Sequence, residues 1–158
     1  KARFRGQIHP YASKASTDVV EALVKYAQGN HAPYAVGITA SASGFFGPQG
    51  REIPGLPITV PKLQEHLAKL CVDDQRVLSV CEGAELDNGQ LIVKNFEMES
   101  SILFHLAQMM NYKAGTICPV IANRPKGTFL VDYGPAVEQC IQVGLGAMLE
   151  LYQKDLNK

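Results

Sequence analysis

Tyr34-Ala35-Val36-Gly37-Ile38-Thr39-Ala40-Ser41 is an apolar run of strand length, and two residues later it gives way to Gly44-Phe45-Phe46-Gly47-Pro48-Gln49-Gly50-Arg51. An apolar stretch without alternation suits a strand covered on both faces, as in the parallel sheets of α/β proteins. The segment after it, rich in glycine and broken by proline, cannot prolong a strand and reads as a loop leaving its end. Loops held at strand ends are where binding residues concentrate, so the polar side chains of this loop are the first candidates for a site.

Working outward, strand-like and helix-like patterns alternate. Residues 4–8 suit a strand, and Val19, Val20, Leu23, Val24 and Ala27 then recur at helical spacing after Asp18, a capable N-cap with Glu21 three residues on. Gly29 is the expected stop. Residues 51–61 hold Pro54, Pro57 and Pro61 and predict an irregular excursion. Leu63, Leu67 and Leu70 mark an amphipathic helix, residues 91–96 a strand, residues 100–110 a helix and residues 116–122 a last strand. Pro135 fits the first turn of a long final helix carrying Val137, Ile141, Leu145, Met148, Leu149 and Tyr152 as its apolar stripe. The alternation predicts a three-layer α/β sandwich, a central mixed β-sheet flanked by helices.

With 158 residues, 46% of them hydrophobic and 19% charged, the chain suffices for one core, and a single domain over residues 1–158 is expected. Lys and Arg total 15, as do Asp and Glu, so no net field recruits nucleic acid or a membrane surface. The longest apolar runs are strand-sized, which excludes a helical membrane span. Cys71, Cys81, Cys118 and Cys140 show no CxxC spacing and suit reduced thiols in a cytoplasmic protein. His9, His31, His66 and His105 have no mutual metal-ligand spacing, and no metal site is expected. Gly144-Leu145-Gly146 lies inside a helix pattern without a preceding strand, which argues against a nucleotide fingerprint, and no Gly-x-Ser-x-Gly elbow exists.

Three segments carry candidate chemistry. In the first loop, Gln49 offers both a donor and an acceptor and Arg51 only donors in a rigid fork, a pair that a flat neutral ring with adjacent carbonyl and N–H groups, such as uracil, would satisfy. The same two residues also suit a solvated turn. Glu97-Met98-Glu99 places two carboxylates just before an apolar-periodic run, where they either complement a helix dipole or accept hydrogen bonds from a vicinal diol such as that of a ribose. Arg124 follows the apolar stretch ending Ile121-Ala122-Asn123, at the end of a predicted strand, where such folds bind ligands and where a solvated arginine is equally at home.

Taken in order, Gly-Ile-Thr-Ala-Ser (37–41), Gly-Phe-Phe-Gly-Pro-Gln-Gly-Arg (44–51), Asn-Phe-Glu-Met-Glu-Ser-Ser (95–101) and Ile-Ala-Asn-Arg (121–124) resemble the uridine phosphorylase branch of the nucleoside phosphorylase family, over nearly the whole chain. The resemblance implies that Phe45, Gln49 and Arg51 hold a pyrimidine, that Glu99 beside Met98 holds the ribose hydroxyls, and that Glu97 lines the same cavity. It also implies that Ile121 and Ala122 border the base and that Arg124 closes over its far edge. The family usually has valine where Ala122 stands. The family's N-terminal half, which holds the phosphate, has no counterpart here, so the chain is expected to be the C-terminal portion of the family domain.

The activity implied is reversible phosphorolysis of uridine to uracil and ribose 1-phosphate, with Glu99 and Arg51 as catalytic residues. Inorganic phosphate is then a co-substrate, and no metal or organic cofactor is required. A homo-oligomer, dimeric or hexameric, is implied by the same likeness. The alternatives are a purine nucleoside phosphorylase or nucleoside hydrolase of the same fold, or a non-catalytic nucleoside-binding or storage protein that retains it. Purine-cleaving relatives place an aspartate after the last strand, where this chain has Asn123 and Arg124.

Overall fold

The structure is a computed structural model and describes residues 13–56, 58, 60–79, 86, 87 and 89–157. The strand expected over residues 4–8 lies outside them. Helix α1 (Thr17–Gly29) leads into β1 (Ile38–Ser41), followed by a single 3₁₀ turn (Gly47–Gln49) and a short α2 (Leu63–Leu67). Then come β2 (Cys71–Val72), α3 (Gln75–Leu78), β3 (Leu86–Asp87) and β4 (Gln90–Glu97). Helix α4 (Ser100–Met109), the two-residue strands β5 (Ala122–Asn123) and β6 (Thr128–Phe129), and the long α5 (Gly134–Leu156) complete the order.

The central strand is β4. It pairs parallel with β1 and antiparallel with both β2 and β3, giving a mixed sheet in an α/β arrangement with helices at its flanks. Thr39 Oγ1 donates to Asn95 Oδ1 at 2.8 Å across the β1–β4 ladder, adding a side-chain bond to the backbone register. The best-formed core lies between α1 and α5, where Ala27 and Val143 are buried together with Ala32 and partly covered by Leu23 and Tyr26. The Tyr26 ring lies directly against Gly146, so closely that a β-carbon there would collide with it. The absence of a side chain lets the helices approach. Gly115 plays the same part at the other end of α1, since a β-carbon would stand 2.5 Å from Val19 Cγ1.

Several boundaries differ from the sequence reading. The N-cap of α1 is Ser16 rather than Asp18, whose carboxylate instead accepts from the Val19 amide at 3.0 Å and pairs with Lys113 at 2.8 Å. Ser16 in turn is tied to Ala114 by two bonds, Ser16 N–H to Ala114 O at 2.7 Å and Ala114 N–H to Ser16 Oγ at 3.0 Å. Only residues 38–41 of the first apolar run form a ladder, and they are half-buried. Helix α2 stops at Leu67, leaving Leu70 exposed.

The strand expected over residues 116–122 reduces to β5. Its pairing is with β6 in a two-stranded ribbon separate from the main sheet, and residues 114–121 find no strand partner among the described residues. An apolar run becomes a strand only where a neighbour offers its amides and carbonyls, and sequence alone does not name that neighbour. On α5 the expected core stripe is also inverted: Val143 and Ala147 are buried, whereas Ile141, Leu145, Met148, Leu149 and Tyr152 are exposed. No helix among the described residues is long and apolar enough to cross a membrane.

Candidate active site

The loop after β1 turns sharply at the 3₁₀ turn. Pro48 lies in its first positions, the amides of Gln49 and Arg51 both donate to the Phe46 carbonyl, and Gly50 closes it at φ 71°, a left-handed conformation that glycine adopts without a steric penalty. This geometry turns Gln49 inward. At 2% exposure Gln49 is the most deeply buried polar side chain described. Arg51, two residues on, lays its guanidinium over the Phe45 ring with Cζ 3.9 Å from the centroid.

Arg124 reaches the same place from a segment far along the chain. Its Nη2 donates to Gln49 Oε1 at 2.5 Å, and its Cζ stands 5.8 Å from the Phe45 centroid and 5.6 Å from that of Phe96 on β4. Burial lowers the pKa of this guanidinium, and the like charge of Arg51 lowers it further. Its second nitrogen, Nη1, is buried with no hydrogen-bond partner. A buried donor left unmatched costs about 1–3 kcal/mol, so this atom is poised to receive an acceptor. Two guanidinium groups, one carboxamide and two aromatic rings thus converge, presenting mostly donors to whatever lies among them. Phe96 was missed by sequence reading; its position one residue before Glu97, at the end of a strand, was the available signal.

The acidic segment sits at the junction of β4 and α4. Glu97 Oε2 accepts from the amides of Glu99 at 2.7 Å and Ser100 at 2.6 Å, and its Oε1 accepts from the Ser100 hydroxyl at 2.5 Å. Partial burial pushes this carboxyl's pKa up. The Ser100 hydroxyl, the two amides and the Ser41 hydroxyl outweigh that and hold it below the usual carboxylate value. Glu97 therefore spends its lone pairs on the first turn of α4, in the place of a helix cap. Glu99 is exposed, with one carboxylate oxygen accepting the Met98 amide at 3.2 Å, and Met98 is exposed beside it. The junction is tied to β1 through the Ala42 amide, which donates to the Glu97 carbonyl at 3.0 Å, and through Ser41.

Of the residues singled out from the sequence, Phe45, Gln49, Arg51 and Arg124 are brought together by direct contacts, and Glu97, Met98 and Glu99 form a second group at the end of the neighbouring strand. Ile121 is half-buried and Ala122 exposed, on the chain that leads into Arg124. Among the described residues no three His, Cys, Asp or Glu side chains stand close enough to hold a metal ion.

The sequence profile of the phosphorylase superfamily matches residues 2–138. The chain belongs to that superfamily. It is 36% identical over 119 residues to a uridine phosphorylase of Thermococcus kodakarensis, an alignment covering 75% of this chain and 36% of that protein. Its fold is similar to the crystal structure of a Trypanosoma brucei nucleoside phosphorylase described as showing uridine phosphorylase activity, with a TM-score of 0.70 and 32% identity. That match covers 87% of this chain and 43% of the trypanosome chain. The chain thus spans well under half the length of these relatives.

Proposed function

We propose that this chain supplies the base- and ribose-binding portion of a uridine-cleaving nucleoside phosphorylase. The observation that carries the reading is the contact of Arg124 with the buried Gln49. With Oε1 engaged by Arg124, the carboxamide turns its Nε2 hydrogens toward a ring carbonyl, while the second lone pair on Oε1 remains to accept an imide N–H. Arg51 and the unmatched Nη1 of Arg124 then donate toward the far carbonyl. Donor, acceptor and donor in sequence match the edge of uracil. The edge of cytosine, with an acceptor nitrogen and an amino group in those places, leaves two of them opposed.

In this reading the glycosidic bond breaks with positive charge developing on the sugar and negative charge on the departing base. Arg51 and Arg124 stabilise the base as it becomes anionic, and their low-dielectric surroundings strengthen that effect. Glu99, with a free carboxylate oxygen, takes the ribose hydroxyls near the developing cation. Glu97 holds Glu99 in place through the backbone instead of touching the sugar itself. Phosphate attacks the anomeric carbon as co-substrate, and the reaction calls for neither metal nor organic cofactor. A soluble cytoplasmic oligomer in pyrimidine salvage is the setting this chemistry fits.

The test compares uridine, cytidine and inosine in the assembled enzyme, with and without phosphate. Phosphate-dependent cleavage of uridine in preference to inosine and cytidine is the expected result. Preference for inosine, or turnover without phosphate, overturns it. Uracil binding with no activity in any assembly would instead make the chain part of a nucleoside-binding protein without turnover.

A further inference from the structure

Glu99 stands at the N-cap of α4, a position whose side chain can accept the amide two or three residues on, yet it makes no such bond. Two other residues take its place. Glu97 accepts the amides of Glu99 and Ser100, and the Ser101 amide, the donor that a capping Glu99 would claim, goes to Ser41 Oγ at 3.4 Å. The amides of residues 99–101 are thus all engaged without the Glu99 side chain, which stays exposed with one oxygen on the Met98 amide.

The sheet puts Ser41 where it can do this. Ser41 is the partner of Glu97 in the parallel β1–β4 ladder, two residues beyond the pair Thr39 and Asn95, whose side chains are bonded at 2.8 Å. Residues two apart on a strand face the same side, so the Ser41 hydroxyl lies beside the Glu97 carboxylate. A hydroxyl both donates and accepts, and this one donates toward Glu97 while accepting the Ser101 amide.

We propose that Ser41 is a positioning residue for the sugar: by holding the Ser101 amide it keeps Glu99 from capping its own helix and leaves that carboxylate to a vicinal diol. The inference rests on the uridine-cleaving reading given above. Without the hydroxyl, the Ser101 amide becomes an unmatched donor at a helix start, and the Glu99 carboxylate turns back to take it. The helix then survives and the grip on the sugar is lost. A serine that only supported the fold would act otherwise, since its removal would lower stability and weaken base and sugar binding alike.

The experiment titrates uracil and uridine calorimetrically into the purified 158-residue chain as parent, Ser41→Ala and Ser41→Thr. In Ser41→Ala the affinity for uracil stays within about twofold of the parent, while the advantage of uridine over uracil shrinks at least about fivefold, the worth of roughly one hydrogen bond. Ser41→Thr, which retains the hydroxyl, keeps the parent's advantage. Thermal unfolding of Ser41→Ala, Glu99→Ala and the double variant supplies a readout that needs no ligand. The double variant loses more in melting temperature than the two single variants together, because each group caps the helix when the other is absent. Equal loss of uracil and uridine affinity in Ser41→Ala, additive melting temperatures, or a Ser41→Ala chain that does not fold would each overturn the role of Ser41 and leave the base-binding reading standing. A parent that binds neither uracil nor uridine would overturn that reading, and this inference with it.

Discussion

Arg124 and Gln49, 75 residues apart in sequence, meet through a single hydrogen bond from Nη2 to Oε1 at 2.5 Å, and that bond fixes which end of the buried carboxamide is engaged. Removing the side chain in Gln49→Ala should lower kcat/KM for uridine in the assembled enzyme by roughly 5- to 150-fold, equivalent to about 1–3 kcal/mol of transition-state binding. Gln49→Glu should fall at least as far with its melting temperature retained, because a carboxylate still pairs with Arg124 yet offers no donor. Kinetics within threefold of the parent for both variants would remove Gln49 from the site.

Glu97 provides a pH prediction. Its folded pKa lies below the ordinary carboxylate value of 4.5, so its contribution to stability is complete above the unfolded value and is lost as pH falls through the folded one. Urea unfolding should therefore show stability declining below about pH 5 in the parent and a shallower decline in Glu97→Gln. At pH 7 the substitution should cost about 1–3 kcal/mol, since the amide cannot accept all the bonds that the carboxylate accepts. Identical pH profiles would show that the α4 junction does not depend on the charge.

Gly50 holds φ 71°, and a β-carbon there would stand 3.0 Å from Leu63 Cβ. Gly50→Ala should cost about 1–2 kcal/mol from the left-handed backbone alone, and should weaken uracil binding by displacing Gln49 and Arg51 on either side of it. Calorimetric titration of uracil beside thermal unfolding measures both. Unaltered affinity with a lowered melting temperature would separate the turn from the site.

Gly146→Ala tests the packing of α1 on α5. Alanine is favoured over glycine in a helix by roughly 1 kcal/mol, but its methyl group would occupy the space of the Tyr26 ring, and overpacking of that kind costs about 1–3 kcal/mol. A lower melting temperature is expected, recovered in part by Tyr26→Leu in the same chain. A rise in melting temperature for the single variant would mean the ring sits elsewhere.

What the sequence made legible was local. Helix α4 and strand β4 fell within two residues of their expected bounds, and α5 begins one residue before Pro135, because apolar spacing and the proline mark them without reference to distant partners. The ribbon of β5 and β6 was misread as a core strand because its pairing is a property of residues 128–129, not of the apolar run itself. The stripe on α5 was read as the packed side, whereas α1 takes the face of Val143 and Ala147, whose small residues make a weaker signal in the sequence. At the site, Gln49 and Arg51 could be paired by their spacing of two, whereas the bond to Arg124 joins positions that no short pattern connects. Glu97 and Glu99 were read as either helix-dipole partners or diol acceptors, and only the family resemblance put Glu97 in the cavity; its engagement by the Ser100 and Glu99 amides depends on how tightly the chain turns from β4 into α4.

That turn has an outcome for the geometry of the candidate site. One carboxylate grips Ser41, shortly before the Gly-rich loop of Gln49 and Arg51, and the first turn of the helix that follows Glu99. The span between the Gln49 loop and Glu99 is therefore tied at Glu97, through its carboxylate and through its carbonyl, which accepts the Ala42 amide. Loss of the Glu97 carboxylate would loosen both sides of that span at once.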